Sequence, residues 1–352
     1  MQLPREYKRI VIKIGASLLY SGNSELDCSL LDEICSQIAD LIKDKKEIAV
    51  VSSGAIALGM SVLDLASRPK ELSYLQAVAA IGQHELMNVY RGFFKGRQLN
   101  CAQVLLTWED FADRKRYLNA KNTLLKLLKL RAVPVINEND TVSTDEIKFG
   151  DNDRLSALVS TLVSADLLII LSDVDGLLNR NKRVIPLVDK ITPEIKELAC
   201  PTDKKTCVGG MVTKIEAAKI AVGSGIPCII ANGRRKGIIS SVIKEPEKYG
   251  TLFAPKKGLA AKQRWIAFGT KPKGRIIIDA GAKTALLNNK SLLSVGVLSV
   301  EGNFECGDIA AVTCAGVEIA RGKVGLSSKE LSKVRGMRSE KEVIHKNNIV
   351  VL

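Results

Sequence analysis

Apolar residues recur along the chain with two periods, and the alternation of the two sets the expected architecture. Short continuous apolar runs at Arg9–Ile14, Glu47–Val51, Ala102–Thr107, Ala132–Ile136, Ala165–Leu171 and Ile226–Ala231 have the length and the branched aliphatic content of buried strands. Between them, Leu30, Leu31, Ile34, Ile38, Leu41 and Ile42 place one apolar face on a helix over Ser29–Lys43. The segments 75–95, Tyr117–Leu130 and Ile215–Val222 are helical on the same grounds. Strand and helix in alternation predict a largely parallel α/β sheet. The residues 75–95, apolar and small, are expected to serve packing or a subunit contact rather than chemistry.

Past Phe253 the texture changes. Ala254–Lys262 is rich in Lys, Gly and Ala, and the apolar runs Arg275–Asp279, Val297–Val300, Ile309–Thr313, Glu318–Arg321 and Ile349–Leu352 are short and separated by Gly-containing turns. That spacing predicts a small β-rich domain. A length of 352 residues already favours two cores over one. The expected division is 1–262, a linker at 263–272, and 273–352.

Polar residues collect where the predicted strands of the first domain end. Asn137, Glu138, Asn139, Asp140, Asp145, Glu146, Asp151, Asn152 and Asp153 lie between two apolar segments, and buried polar groups on that scale need partners. Asp151 reads as the N-cap of a helix beginning near Arg154. Ser53 and Gly54 follow the second strand, and Ser172-Asp173 follows Ala165–Leu171. In open α/β sheets ligands bind at such carboxyl ends. Lys13, inside an apolar run and just before Gly15-Ala16-Ser17, either reaches a phosphate in that loop or snorkels from an edge strand. Gly209-Gly210 before a helix that carries Lys214 in its first turn is compatible with phosphate binding and equally with a plain turn.

Composition narrows the chemistry. Eight cysteines without a Cys-x-x-Cys pair and only two histidines, His84 and His345, leave no zinc spacing and no disulfide framework, so reduced thiols are expected. No apolar run approaches a membrane span and no signal core precedes the first strand, so a cytoplasmic protein is expected. The net charge of +14 is spread in proportion to length, which suits anionic small substrates as well as RNA. Gly54–Gly59 is followed by Met60 and is no Walker A loop, and Gly223-Ser224-Gly225 lacks the third glycine of a dinucleotide fold.

Taken together, VIKIGAS (11–17), VVSSGAIALG (50–59), QAVAAIGQ (76–83), DRKRYLNAKNTL (113–124), VPVINENDTVSTDEIKFGDNDRLSALV (133–159), LSDVDGL (171–177) and GGMVTK (209–214) resemble the glutamate 5-kinases of the amino acid kinase family. GAKTALL (281–287), SLLSVGV (291–297), VEGNFECGD (300–308) and GVEIARGKVGLSSKEL (316–331) resemble a PUA domain. The resemblance implies an α/β/α sandwich with a mainly parallel sheet, followed by the β-rich PUA domain. It implies transfer of the ATP γ-phosphoryl group to the γ-carboxylate of L-glutamate, with Mg²⁺, as the first step of proline synthesis. By matching position, Lys13 and Lys214 would neutralise the transferring group and Asp153 would hold both. Ser53, Gly54, Asn137, Asp140 and Asn152 would bind glutamate. Lys13, Ser172, Asp173 and the run Val208, Gly209, Gly210, Met211, Val212, Thr213 and Lys214 would line the ATP site; no metal ligands are assigned. The resemblance also implies a dimer or tetramer, proline feedback, and a functional link to γ-glutamyl phosphate reductase.

Three departures stand out: Ser172 and Val208 occupy positions where the family usually has Thr, and Asn289-Lys290 stands where a glycine is common, so an altered turn is expected there. A competing reading, an RNA-binding protein with a vestigial kinase domain, has the PUA resemblance and the positive charge on its side and the intact set of polar site residues against it. A related kinase acting on another acidic substrate would differ only in pocket detail.

Overall fold

A computed structural model of the protein describes residues 6–20, 26–142, 152–199, 210–255, 261–269, 272–339 and 341–351. The chain divides into two units, Met1–Asp110 with Lys115–Gly258, and Phe111–Arg114 with Leu259–Leu352.

In the first unit β1 (Arg9–Ile14), β2 (Glu47–Ser52), β3 (Cys101–Leu106), β4 (Val133–Glu138), β5 (Leu167–Ser172), β6 (Leu187–Val188), β7 (Cys228–Asn232) and β8 (Gly250–Phe253) form one sheet in the order β3-β4-β2-β1-β5-β7-β8-β6. All neighbours from β3 to β7 are parallel, and β8 is antiparallel to β7. The apolar runs are continuous rather than alternating because β1, β2 and β5 are buried on both faces. On one face the helix Cys28–Lys43 contributes Leu31, Ile34 and Ile38, and the helix Leu72–Lys95 contributes Leu86, Tyr90 and Phe94, to a single core with Ile10, Ile12, Val50 and Ile169.

The helix Asn152–Val163 is buried at every residue except Arg154. A helix buried all round tolerates hydroxyls only if they are satisfied, and these return hydrogen bonds to their own turns. Ser160 Oγ donates to the Ser156 carbonyl at 2.7 Å and Thr161 Oγ1 to the Ala157 carbonyl at 3.0 Å.

Register decides where the site can lie. Lys13 pairs with Val51 on one side and Ile170 on the other, and Ile14 pairs with Ser52 and Leu171. The carboxyl ends of β1, β2 and β5 are therefore level. β4 and β5 also run further than their apolar residues, to Glu138 and Ser172, so Asn137 and Ser172 sit on the sheet itself rather than in loops.

In the second unit β9 (Gly274–Ile278), β10 (Val297–Gly302), β11 (Ile309–Cys314), β12 (Val317–Lys323) and β13 (Ile349–Val351) form a sheet in the order β10-β9-β11-β12-β13. Its core gathers Ile276, Ile278, Phe304, Val312, Leu331 and Ile344. The helix Ser328–Val334 starts in a capping box between Ser327 and Glu330. Around the stretch expected as a linker, Ala261–Arg264 is helical, Trp265–Gly269 continues as a π turn, and Ile266 and Ala267 are buried with Ile309 and Val350. At the expected altered turn, Asn289 takes a left-handed φ of 58°, which asparagine tolerates where glycine is common. Among the described residues no helix is long and apolar enough to cross a membrane.

Candidate active site

Level strand ends put three charged side chains together. Lys13, the penultimate residue of β1, sends Nζ to Asp153 Oδ1 at 2.6 Å, and Lys214 Nζ meets Asp153 Oδ2 at 3.2 Å. All three are almost wholly buried, with exposures of 5%, 8% and 4% for Lys13, Lys214 and Asp153. Thr213 Oγ1 donates to Asp153 Oδ2 at 2.7 Å, and Lys214 Nζ also donates to the Gly210 carbonyl at 3.2 Å. Burial works against the Asp153 charge, but the two lysines, aided by hydrogen bonds from Lys13 and Thr213, hold its carboxyl below the usual range. One carboxylate thus anchors two ammonium groups. Removing it would strand both, at a cost of about 3–5 kcal/mol.

A neutral network runs alongside. Asn152 Nδ2 donates to Ser53 Oγ and to Asn137 Oδ1, both at 3.0 Å. Asn137 Oδ1 also accepts from the Glu138 backbone amide at 2.9 Å, and Asn137 Nδ2 donates to Gln83 Oε1 at 2.8 Å. Gly54 turns the chain after Ser53 with φ 99°, and a Cβ there would stand 2.2 Å from Leu19 Cδ1.

Between these networks lies a cleft of about 280 Å³, whose lining includes Lys13, Ser53, Gly54, Arg68, Asp140 and Lys214. Asn137, Asn152, Asp153, Gly210 and Thr213 complete the part of the wall predicted from the sequence. Asp140 is partly buried, and burial pushes its carboxyl up to about 6 against the opposing charge of Arg68. At the neighbouring end of β5, Ser172 Oγ donates to Asp173 Oδ1 at 3.0 Å. Burial opposes the Asp173 charge as well, but hydrogen bonds from Ser172, its own backbone amide and Ser17, with the field of Lys214, hold it below the usual range.

The predicted residues thus fall into three groups. Lys13, Asp153 and Lys214 form the ionic cluster; Ser53, Asn137 and Asn152 form the neutral chain; Gly54, Asp140, Gly210 and Thr213 line the same cleft. Ser172 and Asp173 lie at the next strand end, and Met211 and Val212 form the first turn of the helix Met211–Gly223 behind Gly210. Val208 and Gly209, and with them Asp145, Glu146 and the expected N-cap Asp151, lie outside the described residues.

Gln83 and Arg68 were missed as contributors, and Ser17 was named only as part of the loop after Lys13. The apolar and small residues of 75–95 do pack, through Val78, Ala79, Leu86 and Tyr90, and Gln83, a polar residue outside that reading, is buried among them and reaches Asn137. A glutamine on an otherwise apolar face was the available signal. Arg68 carries no such mark, and the charge it sets against Asp140, like the hydrogen bond from Ser17 to Asp173, comes only with tertiary structure.

The sequence matches the model of the amino acid kinase family over residues 8–232 and that of the PUA domain over residues 274–345. It is 44% identical over 364 residues to the glutamate 5-kinase of Thermoanaerobacter sp. (strain X514), covering 98% of each chain. It is 44% identical over 373 residues to that of Pelobacter propionicus, covering 100% of this chain and 99% of the relative, and 41% identical over 365 residues to that of Moorella thermoacetica, covering 98% and 96%.

Proposed function

Since the chain belongs to the amino acid kinase family, as one of its glutamate 5-kinases, we propose how the cleft divides the work of that reaction. The enzyme uses ATP to phosphorylate the γ-carboxylate of L-glutamate, yielding L-glutamyl 5-phosphate for proline biosynthesis. A γ-carboxylate oxygen attacks the γ-phosphorus of ATP, the bond to the β-phosphate oxygen breaks, and ADP leaves with that electron pair. No proton is moved, because the nucleophile is already ionised; the protein must position two anions and neutralise growing charge.

The observation that carries this assignment is the single Asp153 carboxylate gripping both Lys13 and Lys214 at the edge of the cleft. Each ammonium is thereby fixed in a dry site, where charge stabilisation needs little reorganisation during the reaction. Lys13 and Lys214 neutralise the transferring phosphoryl group, and Asp153 positions them. Ser53, Asn137 and Asn152, with Gly54, hold glutamate, and Asp140 receives its ammonium. Ser172, Asp173 and the segment from Val208 to Lys214 hold ATP. Mg²⁺ would supply further charge neutralisation on the phosphates. Among the described residues no three His, Cys, Asp or Glu side chains converge on one point, a donor set that fits an ion held mainly by phosphate oxygens, with the ionised Asp173 at hand.

Hydroxylamine trapping of the acyl phosphate tests the assignment, with L-glutamate compared against aspartate and N-acetylglutamate, and UMP followed by ADP release. Turnover on glutamate alone supports the site reading, and turnover on another acceptor would replace it. An acyl phosphate hydrolyses readily, so transfer of the product to γ-glutamyl phosphate reductase belongs to the same proposal; a homo-oligomer is proposed on the family resemblance alone. RNA binding by the second unit is a subsidiary proposal that rests on the PUA match over residues 274–345. Filter binding across a salt series checks it, since RNA engagement must weaken steeply as salt rises.

A further inference from the structure

Three cations stand in the described wall of the cleft, and they fall in two places. Lys13 and Lys214 are gathered on Asp153, whereas Arg68 stands near enough to Asp140 for its charge to act on that carboxyl. Arg68 comes from the connection between the helix Ala55–Val62 and the helix Leu72–Lys95, and it remains exposed to solvent while lining the cleft. Asp140, just beyond the end of β4, is partly buried in the same wall. Ile56, Ala57 and Met60 add side chains without charge.

The acceptor of the proposed reaction carries three charges that must be matched to this wall. Its γ-carboxylate is the nucleophile, so it lies where the phosphoryl group is transferred, at the end held by Lys13 and Lys214. Its ammonium and its α-carboxylate are borne by one carbon, so the two cannot be bound far apart. With the ammonium on Asp140, the α-carboxylate needs a cation beside Asp140. Among the described lining residues Arg68 is the cation in that place. A guanidinium also has the paired N–H donors that fit the two oxygens of a carboxylate.

We propose that Arg68 is a specificity-determining residue that binds the α-carboxylate of the acceptor, so that Arg68 and Asp140 together select an α-amino acid by its adjacent ammonium and carboxylate. The proposal rests on the reading of this cleft as the glutamate site. It divides the acceptor between two ionic groups of the wall: the lysine pair serves the reacting end, and the Arg68 and Asp140 pair serves the end that does not react.

The test measures kcat/KM in the full chain for L-glutamate and for its α-carboxamide, which keeps the γ-carboxylate and the ammonium and loses the charge of the α-carboxylate. The wild-type protein should prefer glutamate by about 10-fold or more. Arg68→Met should lower that preference by about 10-fold, chiefly through KM for glutamate, with KM for ATP unchanged. Because Arg68 is exposed, screening by solvent keeps the expected change at the low end for a charged hydrogen bond. Asn152→Ala, assayed in parallel, separates this proposal from the reading beneath it: an unaltered KM for glutamate in that variant overturns both. With KM raised in Asn152→Ala, a wild-type protein indifferent to the α-carboxamide overturns the Arg68 assignment alone. So does a preference unchanged in Arg68→Met, which would give the α-carboxylate to backbone amides at the start of the helix Ala55–Val62. A structural effect of the substitution would lower turnover of both acceptors alike and leave the preference in place, and so also counts against the proposal. If Arg68→Met proves unstable, Arg68→Gln carries the same expectation.

Discussion

Asn152 and Asp153 are neighbours in one helical turn, and they face two networks built on opposite principles. Asp153 belongs to a charged cluster in which two ammonium groups share one carboxylate. Asn152 belongs to a chain of amides and a hydroxyl that carries no net charge. The charged side suits a reaction in which negative charge accumulates on the transferring group, so its contribution is expected in kcat. The neutral side, in the role proposed for it, holds glutamate by hydrogen bonds, so its contribution is expected in KM. A single helix N-terminus, buried on all sides, holds the two in fixed relation.

That contrast can be broken most severely at Lys214. Lys214→Ala should lower kcat by roughly 100-fold or more with a smaller change in KM for glutamate, and an unaltered kcat in steady-state assays would remove Lys214 from the reaction. Asp153→Asn should follow, with kcat lower by roughly 10- to 100-fold and a lower melting temperature in calorimetry, because both lysines lose their anchor at once.

On the neutral side, Asn152→Ala should raise KM for glutamate by about 10-fold while kcat changes far less. An equal fall in kcat would show that the two networks act as one. Asp140 supplies a pH test. Burial pushes its carboxyl up to about 6, so it is neutral below that pH and ionised above it, while glutamate keeps its charges from pH 5 to 8. KM for glutamate should therefore fall severalfold as pH rises from 5 to 7.5, and Asp140→Asn should flatten that profile. The smallest effect sharpens the comparison: Ser53→Ala and Lys214→Ala should combine in kcat/KM with a coupling under about 0.5 kcal/mol in a double-mutant cycle.

Much of this was legible before any coordinates. Continuous Val/Ile runs mark strands buried on both faces, and their ends mark the site edge, so Lys13, Ser53, Asn137 and Ser172 could be placed by local pattern alone. Boundaries were less secure, as β4 runs past its apolar residues to Glu138 and the helix Met211–Gly223 begins earlier than its apolar face suggests. The stretch Ala261–Gly269 shows the limit of composition, since its short apolar piece is legible locally but its packing against Ile309 and Val350 is not.

The amino-acid sequence by itself determined which residues lie on which strand end, because hydrophobic period and turn chemistry are local properties of the chain. It also placed Asn152 beside Asp153, and so joined the two networks covalently. Tertiary structure alone decided that Asp153 is shared by Lys13 and Lys214, residues far apart in the chain, and that Gln83 meets Asn137. Those pairings depend on parallel register and on the close approach of the helix Leu72–Lys95, which follow from packing of the whole core and leave no periodic trace in the sequence.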